Sequence, residues 1–321
     1  MNIIIKLLIF CIVLFIYLHV CFYLKKSNDL ELYEIDSFSK NKLEEICDLR
    51  QPTLFHNNIE FLEKLKFDNL LNTYGAFDVK MQNLEKNNLK IPFPLKKAAE
   101  IIKNKEHYIS ESNEDFLEET CLNKEFKVQD ALLRPYLVSN CEYDILFGSN
   151  KTTTPLRYEI NYRNFFVVIE GEAVVKLTPP KNGRYLYCEK DYDTFEFKSP
   201  INPWNVQEKY KNTIDKIQFL ELTLTPGRIL FIPAYWWYTI QLKEKTLIAS
   251  LKYRTYMNNV AIMPDFFMRL LQSQNIKHLV AHNISPVAHT TGISLKENTT
   301  EEPDEKPDEK PGENPEELLQ T

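Results

Sequence analysis

From Ile3 to Leu24 the chain is apolar apart from Lys6 and His19. A helix of that length crosses a hydrocarbon core of about 30 Å, so the run reads as a membrane span. No small-x-small cleavage site succeeds it, and the run ends in Tyr23-Leu24-Lys25-Lys26, which favours an uncleaved anchor over a signal peptide. Downstream the pattern turns periodic. Ser39 can cap a helix over 40–49 that puts Leu43, Ile46 and Cys47 on one face, and 52–55 reads as a strand. Apolar residues recur at helical spacing over 60–74 and 95–105, predicting a helical flank to the C-terminal half of the chain.

From about Ala131 the texture changes to short runs rich in Tyr, Phe, Val and Ile, broken by Asn, Gly and Pro. Strands are predicted over 143–147, 156–162, 165–169, 173–177, 194–197, 219–223, 229–232, 236–242 and 246–253. Many short strands at near-regular spacing predict a mainly β domain with helical flanks, of the sandwich, barrel or jelly-roll kind. Residues 266–271 and 276–280 read as a closing helix. Beyond Ser285 the chain is polar, and the acidic repeat around Glu301-Glu302-Pro303-Asp304-Glu305 has nothing to bury. The predicted organisation is an anchor over 3–24, a domain over 33–282 with its β core at about 131–256, and a disordered acidic tail over 286–321.

The 321 residues, 44% hydrophobic, suffice for one sizeable core. The formal charge of -6 comes from the tail: residues 296–321 carry ten acidic residues and three lysines, leaving the remainder near +1. A near-neutral body excludes a nucleic-acid surface. Six cysteines form no CxxC pair, so neither a zinc site nor a disulfide scaffold is indicated. Cys47, Cys121, Cys141 and Cys188 read as reduced and partly buried. Lys25 and Lys26 favour a cytoplasmic C-terminal side, while Lys6 on the other flank opposes it. Sequons at Asn150, Asn283 and Asn298 matter only if the domain faces a lumen.

Two segments carry the candidate chemistry. The first runs Thr154-Pro155-Leu156-Arg157-Tyr158-Glu159, then Asn164-Phe165-Phe166, then Gly171. Arg157 and Glu159 are two apart on a predicted strand and share a face. The second runs Pro226-Gly227, then Ile229-Leu230-Phe231-Ile232-Pro233, then Trp236-Trp237-Tyr238. No histidine lies between His107 and His278.

At these residues, and more loosely from about Tyr33 to Val260, the chain resembles the JmjC-like, cupin-fold iron and 2-oxoglutarate oxygenases, especially their asparaginyl hydroxylase branch. That branch reads Thr-Pro-Leu-His-Tyr-Asp with Asn-Phe-Phe, and Pro-Gly-Asp-x-Leu-x-Ile-Pro-x-x-Trp-Trp-His. The resemblance implies a double-stranded β-helix whose metal is held by two histidines and a carboxylate. Here Arg157 takes the first histidine's place, Glu159 the aspartate's and Tyr238 the second histidine's. A guanidinium has no lone pair to give. A tyrosine ligates only as phenolate, with an ordinary pKa of about 10. The lysine that would pair with the 2-oxoglutarate carboxylate falls at Ala173, while Thr154 keeps the neighbouring hydroxyl.

Arg157 is expected to replace the metal's charge, pairing with Glu159 and donating to Tyr238. Thr154, Asn164, Ala173, Trp236 and Trp237 complete the candidate pocket, although tryptophans in so apolar a run belong more often to core. Arg163, Lys176, Lys252 and Arg254 could bind an anion in the barrel mouth, but they are expected rather to face outward from half-buried strands. His278 and His282 share a helix face but lack nearby third ligands.

These readings predict a single-pass membrane protein whose cupin-like domain is a catalytically degenerate oxygenase scaffold. It would act as a binding module for a protein, peptide or small anion, without iron or 2-oxoglutarate. The alternative is a working 2-oxoglutarate-dependent protein hydroxylase with an unusual metal site on Glu159. A metal-free catalyst using Glu159 and Tyr238 as acid and base also fits the spacing.

Overall fold

A computed structural model describes residues 3–36, 39–56, 64–84 and 87–282. The chain falls into two units, Met1–Lys277 and His278–Thr321. The stretch read as disordered, 286–321, and the sequons at Asn283 and Asn298 lie outside the described residues.

The apolar run is helix α1 (Ile3–Leu24), long and apolar enough to cross a membrane and nowhere buried in the domain. Strand β1 (Tyr33–Ile35) precedes helix α2 (Lys40–Asp48), where Ser39 Oγ accepts from Lys42 N and Leu43, Ile46 and Cys47 are buried, as the pattern predicts. Then come β2 (Thr53–His56), α3 (Phe67–Tyr74), β3 (Asp78–Asn83), β4 (Asn87–Pro94), α4 (Leu95–Asn104), β5 (Tyr108–Ser110), α5 (Glu114–Glu119) and α6 (Leu122–Gln129). Residues 60–63 of the helix predicted over 60–74 lie outside the described residues.

The β-rich half comprises β6 (Val138–Gly148), β7 (Arg157–Tyr158), β8 (Arg163–Glu170), β9 (Ala173–Thr178), β10 (Glu189–Asp191), β11 (Glu196–Lys198), β12 (Leu220–Leu224), β13 (Arg228–Pro233), β14 (Trp237–Leu242) and β15 (Leu247–Thr255). Helix α7 (Lys211–Ile214) interrupts it, and α8 (Tyr256–Ala261) and α9 (Met263–His282) close the domain.

Nine strands form one sheet in the order β1-β2-β13-β8-β15-β6-β5-β3-β4, and six form a second in the order β10-β11-β7-β14-β9-β12. From β6 to β9 and again from β12 to β15 the chain alternates between the sheets. Apolar side chains from both faces fill the space between them: Phe166, Val168, Leu230, Ile232 and Ile248 from the larger sheet, and Val175, Leu177, Leu222, Ile240 and Leu242 from the smaller. The protein is thus mainly β with helical flanks, in keeping with a cupin or jelly-roll fold. The expected double-stranded β-helix differs in one respect. Hydrogen bonding does not close a barrel among the described residues, because each strand pairs within its own sheet and the two sheets meet through side chains.

Three further differences have physical causes. The strand predicted over 156–162 shortens to Arg157–Tyr158, because the Glu159 carbonyl accepts instead from Tyr235 N at 2.8 Å. Strands β3 and β4 escape the pattern because β4 carries Pro92 and Pro94, which an edge position tolerates. Arg163 and Lys252, expected to face outward, turn inward. Arg163 is fully buried and bonds through Nη1 to Glu44 at 3.1 Å. Lys252 sits on β15, between β8 and β6 in the middle of the larger sheet.

All six cysteines are free, and burial pushes the Cys47 thiol up to about 12.

Candidate functional site

Strands β7 and β14 pair so that Arg157 and Tyr238 are direct cross-strand partners. The chain reaches this register through a turn at Pro233-Ala234-Tyr235, where Tyr235 adopts φ +67°, an uncommon conformation for an aromatic residue. The same turn holds Glu159 through the bond from Tyr235 N to Glu159 O. Arg157, Glu159 and Tyr238 therefore converge, but Arg157 does not pair with Glu159 as expected: Glu111 takes the guanidinium and Lys252 takes the Glu159 carboxylate. Alternation along the strands sends their neighbours the other way: Tyr158 stacks on Phe197 at 4.9 Å and meets Trp237 edge-on at 4.8 Å.

The polar groups form one continuous chain. Lys252 Nζ donates to Glu159 Oε1 at 2.8 Å, and Tyr238 Oη donates to the same oxygen at 2.9 Å. Arg157 Nε donates to Tyr238 Oη at 3.3 Å, and Arg157 Nη1 to Glu111 Oε2 at 2.8 Å. Lys90 closes the chain, lying 3.8 Å from Glu111 and 3.5 Å from Glu196.

Glu111 comes directly after the three-residue strand β5, and its loop is fixed from behind. Asp144 on β6 accepts from Ser112 N at 2.8 Å and from Asn113 N at 2.7 Å, while Asn113 Nδ2 donates to Ile145 O at 2.8 Å. The carboxylate is thus carried to Arg157 on an immobilised turn.

The electrostatics reflect burial opposed by pairing. Burial would raise the Glu111 carboxyl, but Arg157 and Lys90 overcome it and hold the group at about 2. Burial likewise opposes ionisation of Glu159, and Lys252 and Arg157 override it, leaving its pKa below the ordinary value. Burial pushes the Tyr238 hydroxyl up, against the pull of Arg157, so it keeps its proton. Burial acts to lower the two cations, yet Glu111 raises Arg157 and Glu159 raises Lys252. Two largely buried pairs thus form, Arg157 with Glu111 and Lys252 with Glu159.

The other predicted site residues lie around this chain but not in it. Thr154 Oγ1 accepts from Ile240 N at 2.9 Å, and Thr154 O accepts from Thr239 Oγ1 at 2.6 Å. Ala173 is fully buried opposite Leu242 in the inter-sheet core. Asn164 donates through Nδ2 to Ile232 O at 3.1 Å, and its Oδ1 is buried without a partner. Trp236 fills the inter-sheet core, with Nε1 donating to Arg50 O at 3.2 Å. Trp237 lies on the opposite face among Leu156, Leu186, Ile201 and Ile217.

Glu111, Lys252 and Lys90 join the site without a motif of their own. The available signal is a rule of pairing: a buried Arg157 and Glu159 each require an opposite charge.

Among the described residues no three His, Cys, Asp or Glu side chains are placed to hold a metal. A cleft of about 330 Å³ lies apart from the chain, lined by Lys64, Asn72, Tyr74, Leu122 and Glu125 among others, and includes none of the motif residues.

Residues 43–260, more than half of the chain, match the family described as cupin-like domain. The JmjC domain-containing protein D of Dictyostelium discoideum is 29% identical over 102 residues, 32% of this chain and 22% of that protein. The human HSPB1-associated protein 1 is 29% identical over 101 residues, 31% of this chain and 21% of that protein, and its rat counterpart is 28% identical over the same length. The match spans about a fifth of the length of these curated relatives.

Proposed function

The chain belongs to the cupin-like domain family, and on that premise we propose that it is a membrane-anchored binding module on a jelly-roll scaffold that has given up iron and 2-oxoglutarate chemistry. The family includes oxygenases, so the question is whether these residues fit the oxygenase cofactors. The observation that carries the proposal is the hydrogen-bonded chain Glu111–Arg157–Tyr238–Glu159–Lys252, which runs through the positions the resembled enzymes give to their metal ligands.

Iron fits these residues poorly. Arg157 donates only. Burial keeps Tyr238 protonated. Glu159 Oε1 already accepts from both Tyr238 and Lys252. For 2-oxoglutarate, Ala173 offers no charge to the distal carboxylate, and the Thr154 hydroxyl is engaged by Ile240 N.

The balance of charge also bears on the ligand. Because Glu111 pairs with Arg157 and Glu159 with Lys252, neither of these two cations is left free for a small anion. A protein or peptide segment suits the module better. Helix α1 serves as an uncleaved anchor, and Lys25 and Lys26 after it favour the cytoplasmic side for the domain. Added 2-oxoglutarate with Fe(II) or Mn(II) should leave the thermal midpoint unchanged, whereas a stabilisation that scales with both would overturn the proposal.

The retained carboxylate of Glu159 favours a second reading, a working 2-oxoglutarate-dependent hydroxylase. It requires metal-dependent succinate release that disappears in Glu159→Ala.

A further inference from the structure

The first three turns of helix α9 turn apolar side chains away from the domain, the reverse of what a helix covering a soluble domain requires. Its domain-facing side is partly polar: Gln272 Nε2 donates to Asp191 at 2.6 Å and Gln272 Oε1 accepts from Tyr192 N at 2.9 Å, while Arg269 lies 3.8 Å from Asp193. Phe266 makes an apolar contact on that side, meeting Phe195 edge-on at 5.4 Å. The outward side carries Met263, Phe267, Leu270 and Leu271, spaced as one helix face and 59%, 59%, 54% and 39% exposed. Single exposed apolar residues are ordinary, but a continuous stripe marks a surface that meets an apolar partner.

The partner is indicated by what adjoins the stripe. Helix α1 packs against α8, which leads directly into α9 and itself exposes Tyr256. The last turn of α1 is gripped by the domain. Tyr23 meets Tyr162 at 4.8 Å, Arg50 lies 5.2 Å from the Phe22 ring and donates to Phe22 O at 3.4 Å, and Lys26 Nζ sits 3.9 Å from the centre of the Tyr235 ring. A domain held so closely to the end of a membrane span cannot swing away from the bilayer.

We propose that the Met263–Phe267–Leu270–Leu271 face of α9 lies in the bilayer interface beside the anchor, so that the domain is seated on the membrane rather than tethered loosely to it. Such an interfacial helix buries its apolar face at the boundary of headgroups and acyl chains. The inference rests on reading α1 as a membrane anchor.

The test uses the full chain in phosphatidylcholine vesicles containing a lipid with a photoreactive diazirine on its acyl chain, with labelled peptides mapped by mass spectrometry. Label is expected both in α1 and on the α9 face, and Phe267→Ser with Leu270→Ser should abolish the second while leaving the first and the thermal midpoint unchanged. Label in α1 alone would overturn the seating while sparing the anchor. Label in neither would overturn both. An unlabelled α9 face together with a dimer in detergent that dissociates in the double variant would assign the stripe to a second copy and overturn the proposal.

Discussion

Arg157 and the buried Glu111 meet in an ion pair at 2.8 Å although they lie 46 positions apart in sequence. In the resembled enzymes the position of Arg157 supplies a neutral imidazole to a metal, whereas here it supplies a cation that already has its own carboxylate.

Removing that carboxylate should be costly. Glu111→Gln leaves the Arg157 guanidinium buried without a full counter-charge, and breaking a buried pair from one side typically costs about 3 to 5 kcal/mol. Chemical denaturation of the variant beside the parent measures it. An unchanged midpoint would mean that solvent reaches Arg157 and that the pairing is incidental.

Stability should fall on acidification over a defined window. The folded-state pKa of Glu111, about 2, lies below its ordinary 4.5, so its contribution is complete above pH 4.5 and is lost as pH falls from there towards 2. A shift of that size corresponds to about 3 kcal/mol by linkage. Glu159 acts in the same direction. Denaturation midpoints from pH 6 down to pH 3 should decline more steeply in the parent than in Glu111→Gln, and parallel curves would refute the assignment.

Lys252 and Glu159 should behave as a coupled unit. Lys252→Met leaves Glu159 buried and under-compensated, while Lys252→Met with Glu159→Gln removes both charges. The double variant is expected to be more stable than the sum of the two single losses implies, with a coupling of about 1 to 3 kcal/mol. Additive losses in a double-mutant cycle would show that the 2.8 Å contact carries no energy of its own.

Restoring histidines offers a constructive test. Arg157→His with Tyr238→His returns two ligand types beside Glu159, and Glu111→Gln avoids stranding a buried carboxylate. If the scaffold descends from a metal site, the triple variant should bind Mn(II) or Fe(II) by calorimetry where the parent does not. A folded triple variant that takes up no metal would argue against that ancestry.

The sequence carried much of this arrangement, and its omissions have specific causes. Ser39 as a cap, the Pro226-Gly227 turn and the strands flanking Tyr238 were legible because their signals are local: a capping side chain, a glycine at φ +83° and dense β-branched and aromatic runs. The meeting of Arg157, Glu159 and Tyr238 was legible through the two motifs. Glu111 was not, because the strand before it has three residues and its loop is set by Asp144, 31 and 32 residues further on. Lys252 was missed because a lysine flanked by Leu251 and Tyr253 looks like the outward position of a half-buried strand. Only the sheet order reveals that β15 is central, with a second sheet facing it. Arg163 failed for the same reason, its partner Glu44 lying on α2, 119 residues away. Local signals thus fix elements, while the partners of buried charges are set by topology.

The most direct test of the central claim is the metal content of the full chain, purified in detergent and incubated anaerobically with Fe(II) before desalting. The donor chemistry of Arg157, Tyr238 and Glu159 predicts far less than one equivalent of iron per chain, unchanged in Glu159→Ala. One equivalent in the parent that disappears in Glu159→Ala would contradict it.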